Sequence, residues 1–411
     1  MSTFARTYGS WAVAALFYCY QYILRVLPGN IEPELRQEFH LTAHEFGTIG
    51  SYTIFAYALM QIPIGLLLDR WGLKKTLLSS LAICMLGAFG MAYADTLFAL
   101  QMSRILIGLG SASAFMSALK IAADGLPLGR RGLLMGATLT LGTVGAIITG
   151  SCLVSLISLT GWRALTSSLG LLGILLMAAT FLVLPTAPTL AQSNLAIPWR
   201  DIRRILSDSS ILLYALLAIG VYTPLSVLAD LWGPAFLMKK YHIPKHEAAL
   251  SCTLLFVGLS IGSLLLPALC ERFRCLDRAI QLCTFTLLML FGYLLYGPEL
   301  STQGLQGVLF AIGLCCSAEM MCFTGAVHAT SSSNSGLTLG LVNTLNMFGG
   351  ALLQQIIGSV LDYQWAGSVD EMGIRVYISE QFVVALSLLF GIIACCSWLS
   401  LHLAKAKPLR S

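Results

Sequence analysis

The residues of this chain best equipped for chemistry are charged and polar groups set inside long apolar stretches. Tyr18, Gln21, Tyr22 and Arg25 are spaced i, i+3, i+4 and i+7, so in a helix they share one face. A guanidinium there can grip a carboxylate or phosphate through paired donors. Arg104 and Lys120 are two more cations inside apolar runs, and Asp230 and Glu319 are acids inside others. Tyr222, Ser226 and Asp230 follow one another at i, i+4 and i+8, while Asn343, Asn346, Gly350 and Gln354 mark another single face. Charges in such surroundings are costly unless they face a protein interior or a watery cavity. Two placements are open to Arg25: an interior anion site, or the interface, reached by snorkelling from near a helix end. The two acids are open to proton carriage or to structural ion pairing. His328 sits near a helix end and is expected to be a boundary residue.

The elements that must hold these groups follow from composition. The chain has 411 residues, 57% of them hydrophobic and 10% charged, where a soluble domain carries about 25% charge. Apolar runs of the length that crosses a bilayer as a helix, about 20 residues, recur throughout. Twelve are expected, from 8–28 to 380–404. The fold class is therefore an all-α membrane protein. A more polar connection, 187–209, divides the runs six and six, giving bundles 1–186 and 210–411 around a linker with a short amphipathic helix. The first run lacks a basic n-region and a small-residue cleavage site, so it is expected to be retained. The twelve cysteines lie mostly in apolar runs without paired C-x2-C spacing, which favours packing over zinc or a disulfide framework. A net charge of +5 summed over loops does not point to nucleic acid.

Basic residues set the expected orientation. With the N-terminus inside, Arg6, Arg70, Lys74, Lys75, Arg130, Arg131, Arg200, Arg203, Arg204, Arg272, Arg274, Arg278, Lys405, Lys407 and Arg410 fall inside, 15 in all. Arg36, Arg163, Lys239, Lys240, Lys245 and Arg375 fall outside, 6 in all. Both termini are expected in the cytoplasm. The halves also echo one another: Asp69-Arg70 stands between the second and third runs, and Glu271-Arg272 stands 202 residues later between the eighth and ninth. Internal repeats of this kind mark transporters.

The stretch from Gly65 through Asp69, Arg70, Gly72, Lys74 and Lys75 resembles the G-x-L-x-D-R-x-G-x-K-K signature of the major facilitator superfamily. Gly65 is expected to allow close helix approach, and Asp69 to cap or pair with a neighbouring helix end. The resemblance implies twelve helices in two pseudo-symmetric six-helix bundles, with this loop latching the halves. Arg104-Ile-Leu-Ile107-Gly108-Leu-Gly110 is similar to the family's R-x-x-Q-G-x-G pattern, with Ile107 in the polar position. The proline of the antiporter pattern is missing from 132–160, which weakens a drug-efflux reading. Arg25 is placed like the helix 1 arginine of organophosphate antiporters and organic-anion symporters. The resemblance implies a cavity lined by helices 1, 4, 7 and 10.

Tyr20 to Pro28, Met60 to Asp69, and Asn334 to Gly340 look like a group of facilitators from intracellular Gram-negative bacteria that includes phagosomal importers of amino acids or nucleosides. The expectation is a bacterial inner-membrane carrier for proton-coupled uptake of a small carboxylate-bearing nutrient, an amino acid first. A carboxylate siderophore or other organic anion, an efflux substrate, or a sensing role are the alternatives. Substrate contacts are expected from Tyr18, Gln21, Tyr22, Arg25, Arg104, Tyr222, Asn343 and Asn346, and proton coupling from Asp230, Glu319 and Lys120. The expected partners are a small molecule, the coupling ion and the bilayer, with a monomeric chain and no cofactor, metal or nucleic acid. Motifs of membrane enzymes, such as H-E-x-x-H or a phosphate loop, are absent from the sequence.

Overall fold

The computed structural model describes residues 3–125, 128–185, 199–330 and 335–403. Most of the expected linker (187–198), Asn334, and the terminal Lys405, Lys407 and Arg410 lie outside the described residues. The described chain is helical: α1 (Thr3–Asn30), α2 (Glu32–Phe39), α3 (Ala43–Arg70), α4 (Leu73–Ala92), α5 (Leu97–Gly125), α6 (Leu128–Ile148), α7 (Val154–Thr160) and α8 (Trp162–Val183) come first. Then follow α9 (Trp199–Leu206), α10 (Ser209–Pro224), α11 (Gly233–Lys240), α12 (Lys245–Phe273), α13 (Leu276–Tyr296), α14 (Thr302–Cys316), α15 (Ala318–His328), α16 (Ser335–Tyr363) and α17 (Ser379–Ser400). Wider π turns, Thr149–Leu153 and Leu225–Trp232, join α6 to α7 and α10 to α11.

Eleven described segments are long and apolar enough to cross a membrane. α1 is not among them, although its 28 residues would extend about 42 Å. Gln21, Arg25 and the tyrosines of α1 lower its hydropathy, and these are the residues that single it out chemically.

The helices group into two units, Met1–Ile31 with Tyr52–Ala196, and Glu32–Ser51 with Ile197–Ser411. Within the first, α1 packs on α5, α6 and α8, and α4 packs on α5 and α8. Within the second, α10 packs on α15, α16 and α17, and α13 packs on α14 and α17. Counted as spans, the second pattern repeats the first: seven stands for one, nine for three, ten for four, eleven for five and twelve for six.

The repeat reaches the backbone. His40 (φ 50°) and His242 (φ 52°) take left-handed conformations 202 residues apart, as do Gly72 (φ 77°) and Arg274 (φ 49°). His40-Leu-Thr-Ala-His44-Glu45 aligns there with His242-Ile-Pro-Lys-His246-Glu247. Close helix approach repeats as well. A Cβ added to Gly108 would lie 2.2 Å from the Thr53 carbonyl, and one on Gly313 would lie 2.1 Å from the Leu255 carbonyl. With no hydrophobic drive between helices in lipid, such contacts let backbones approach and gain dispersion energy.

Candidate functional site

In the first unit, α1 carries an aromatic and cationic face. Tyr18, Gln21, Tyr22 and Arg25 are all buried, Arg25 being 8% exposed. The Arg25 guanidinium lies 5.3 Å from the Tyr22 ring centre. Tyr18 meets Tyr22 edge-on at 5.2 Å and tilts against Phe115 of α5 at 5.0 Å. Tyr57 of α3 stands within electrostatic range of Tyr18. Gly142 makes room for this face, because a Cβ there would fall 2.3 Å from the Tyr18 ring. Phe115 and Tyr57 lacked any pattern of their own in the sequence and join only through packing.

Arg104 occupies a different place from the one expected. It is 0% exposed, and its guanidinium donates to the Leu24 carbonyl at 2.6 Å and the Arg25 carbonyl at 3.2 Å. The reason lies in Pro28. Proline has no N–H for the carbonyl four residues earlier, which is Leu24. An orphaned carbonyl inside a membrane protein must find another donor, and Arg104 supplies it. Thr53 in turn donates to the Arg104 carbonyl at 3.0 Å. Arg104 thus holds the backbone on which Arg25 is mounted.

The signature loop is also built within this unit. Gly72 has φ 77° and ψ 166°, a region essentially reserved for glycine, and it lets α3 turn directly into α4. Thr76 stitches the turn by donating to the Gly72 carbonyl at 2.9 Å and to the Leu67 carbonyl at 3.2 Å. Asp69 pairs with Lys120 of α5 at 2.9 Å. Lys120, grouped above with the coupling acids, therefore belongs spatially to the loop. Lys74 lies 4.5 Å from the Phe181 ring centre, while Arg70 and Lys75 are exposed. Among the described residues, a Cβ on Gly65 would meet nothing within 4 Å, so none of them makes the close approach expected there.

In the second unit, Pro224 again removes a donor, here from the Gly220 carbonyl, and the Thr223 hydroxyl replaces it at 3.0 Å. The π turn that follows carries Ser226 and the buried Asp230. Such turns occur often at functional sites. Gln354 of α16 reaches across to the Ser226 carbonyl at 2.7 Å and accepts from the Trp232 indole through its own carbonyl at 3.1 Å. Tyr222 donates to the Met347 sulfur at 3.3 Å. Asn343 is half-buried. Glu319, 4% exposed, and Asn346, 0% exposed, meet where the Asn346 amide donates to a Glu319 carboxylate oxygen at 2.5 Å. The stripe on α16 is thus divided: Asn346 serves an acid, and Gln354 serves backbone.

One cluster escaped sequence reasoning altogether. Asp362, near the end of α16, caps the first amides of α3, accepting from Ala43 at 3.2 Å and His44 at 2.7 Å. It also accepts from Arg375 at 2.9 Å and from the Tyr377 hydroxyl. Burial, and next the Asp362 carboxylate, hold the Tyr377 phenol protonated above the ordinary phenol range. Arg36 stacks on Tyr377 and pairs with Glu32 at 3.1 Å, and Lys245 of α12 pairs with Glu34. A cavity of about 410 Å³ beside this cluster is lined by Glu32, Arg36, Lys239, Asp370, Arg375 and Tyr377 among others, and by none of the residues expected to bind substrate or carry protons. No local spacing could have found Asp362, since its partners lie up to 319 residues away.

Known proteins agree with this architecture. The sequence profile of the Major Facilitator Superfamily matches residues 11–353. A probable sulfoacetate transporter of Cupriavidus necator is 30% identical over 151 residues, 37% of this chain and 35% of that protein. A probable L-galactonate transporter of Escherichia coli K12 is 31% identical over 153 residues, 36% of this chain and 33% of that protein. The matched stretches thus span about a third of these curated relatives. The fold is that of a bacterial homolog of the human lysosomal transporter Spinster, crystallised inward-facing and unoccupied, with a TM-score of 0.80 at 17% identity over 97% of both chains.

Proposed function

The chain belongs to the Major Facilitator Superfamily, and from that premise we propose that it is a secondary carrier of a small organic anion, driven by protons. The observation that carries the proposal is Arg25, nine-tenths buried in α1 against the Tyr22 ring. A buried guanidinium is best matched by a carboxylate, sulfonate or phosphate, which can take two donors at once. Tyr18 and Gln21 flank it on the same face and offer neutral contacts. The names of two relatives, for sulfoacetate and L-galactonate, fit a substrate of this charge. Asp230 and Glu319 are the buried acids assigned to proton coupling. An amino acid is the narrower version, its carboxylate on Arg25. Under this reading 1–186 and 210–411 are the two moving halves, with both termini cytoplasmic.

The test is uptake into proteoliposomes over a panel of carboxylates, sulfonates, amino acids and iron chelates, with and without an imposed pH gradient. Substrates should share an anionic group, and amidating it should abolish uptake. Arg25→Ala should weaken binding of the acid about 10- to 150-fold, the range of a charge-assisted bond, with Arg25→Lys between. Equal losses for the acid and its amide would reject the anion site. Ligand-shifted melting without accumulation would favour a sensor.

A further inference from the structure

We propose that Asn346 reads the protonation state of Glu319, serving as hydrogen-bond donor to its carboxylate and as acceptor from its carboxylic acid. The inference rests on Glu319 being a coupling acid and adds the residue that makes its two states structurally different. Asn346 was expected to touch substrate; the structure turns it toward the acid.

Three observations carry this. The Asn346 amide nitrogen lies 2.5 Å from Glu319 Oε1, so the ionised carboxylate has a donor. Both side chains are more than nine-tenths buried, so bulk water is remote from the contact. The other end of the same carboxamide, Oδ1, is buried and has no hydrogen-bond partner among the described residues. An acceptor left empty in that setting is unfavourable, and a native protein tends to have a use for it. A carboxamide is a neutral group that carries a donor and an acceptor on either side of a single rotatable bond. When a proton from the aqueous pathway bonds to a Glu319 oxygen, the carboxylate loses its charge and gains an O–H. A half-turn about Cβ–Cγ of Asn346 then brings Oδ1 to that O–H. The Nδ2–H···Oε1 bond is exchanged for an O–H···Oδ1 bond: the empty acceptor is filled, and the amide N–H takes the place that Oδ1 held.

Glu319 acts electrostatically on the thiols of Cys316 and Cys322. Other elements packed on α15 bring Tyr214 of α10, against Gly325, and Cys270 of α12, against Met321. Asp277 of α13 and Cys396 of α17 act on Cys322. These are thiols, a phenol and one acid, and α16 supplies the amide. The next residue of α16, Met347, accepts from Tyr222 of α10. One helix thus touches both the proton site and the polar stripe of α10, and a change at Asn346 has a short path to it.

The experiment is infrared difference spectroscopy of the purified full-length protein, stepped between mildly acidic and mildly alkaline buffer. It needs no substrate, so its outcome is separate from that of the transport proposal. A carboxylic-acid carbonyl band should appear on acidification and vanish in Glu319→Gln. In Asn346→Leu, which keeps the branched shape without hydrogen-bonding atoms, the band should shift in frequency and its titration midpoint should move by about one pH unit or more. Asn346→Gln, which keeps the amide, should restore both in part, and guards against a variant that merely folds poorly. A band identical in frequency and midpoint in Asn346→Leu overturns the proposal. So does an acidification spectrum unaffected by Glu319→Gln, because Glu319 would then not take up the proton.

Discussion

Arg104 offers a quantitative test of how α1 is held. Its guanidinium makes a 2.6 Å bond to the Leu24 carbonyl and a 3.2 Å bond to the Arg25 carbonyl. The first is a short charge-assisted bond to an acceptor that Pro28 deprives of its helical donor. The second is longer and goes to a carbonyl whose own donor, Gly29, keeps its N–H. Together they are worth about 2–4 kcal/mol. Arg104→Leu should therefore destabilise the protein, although relief of burying the charge offsets part of the loss. The offset is the same in any background, so a double-mutant cycle removes it. Pro28→Ala restores an N–H to Leu24. If Arg104 acts through that carbonyl, Arg104→Leu should cost about 1–2 kcal/mol less in the Pro28→Ala background, near the upper range for polar contacts in membrane proteins. Unfolding of the four proteins in mixed detergent–denaturant micelles, followed by tryptophan fluorescence, measures the coupling. A coupling below about 0.5 kcal/mol, the scatter of independent sites, would refute the account. A loss of anion binding by Arg104→Leu with no change in stability would return Arg104 to direct substrate contact.

Further outcomes follow from the loop and from the Asp362 cluster. Gly72→Ala should destabilise by about 1–3 kcal/mol, because φ 77° with ψ 166° strains any other residue. Gly65→Ala, with nothing within 4 Å, should be neutral or slightly stabilising in the same unfolding assay. Asp69→Asn should slow transport at normal expression with a stability cost below about 1 kcal/mol, since its pair with Lys120 is half-exposed. Exchanging the charges, Asp69→Lys with Lys120→Asp, should recover part of the transport rate if the pair itself matters. Asp362→Asn should let Tyr377 ionise at lower pH in an ultraviolet titration, because it removes a carboxylate that keeps the phenol protonated. In the wild type, the unfolded phenol ionises from about pH 10 while the folded one does not. The contribution of Tyr377 to stability is therefore present below that pH and is lost as pH rises through its folded value.

What the sequence determined by itself is what a bilayer reads locally. Apolar runs of spanning length, the charges that interrupt them and the signature after Gly65 were enough for an all-helical membrane chain of this family. The physical reason is that helix formation and burial in lipid depend on composition within a single segment. The 202-residue repeat was also legible, more fully than the acid–arginine pair alone indicated, since the His40 and His242 segments carry it too. Helical periodicity placed Tyr18, Tyr22 and Arg25 on one face, and the structure keeps them together. Which side chains meet across helices was decided only by the tertiary structure. Arg104 reads as a substrate ligand until Pro28 of another helix shows which carbonyl lacks a donor. Lys120 reads as a relay until α5 packs beside α3 and sets it on Asp69. Asp362 has no signal at all until α16 brings it to the first amides of α3. These pairings depend on contacts between residues dozens to hundreds of positions apart, and no local pattern encodes such distances.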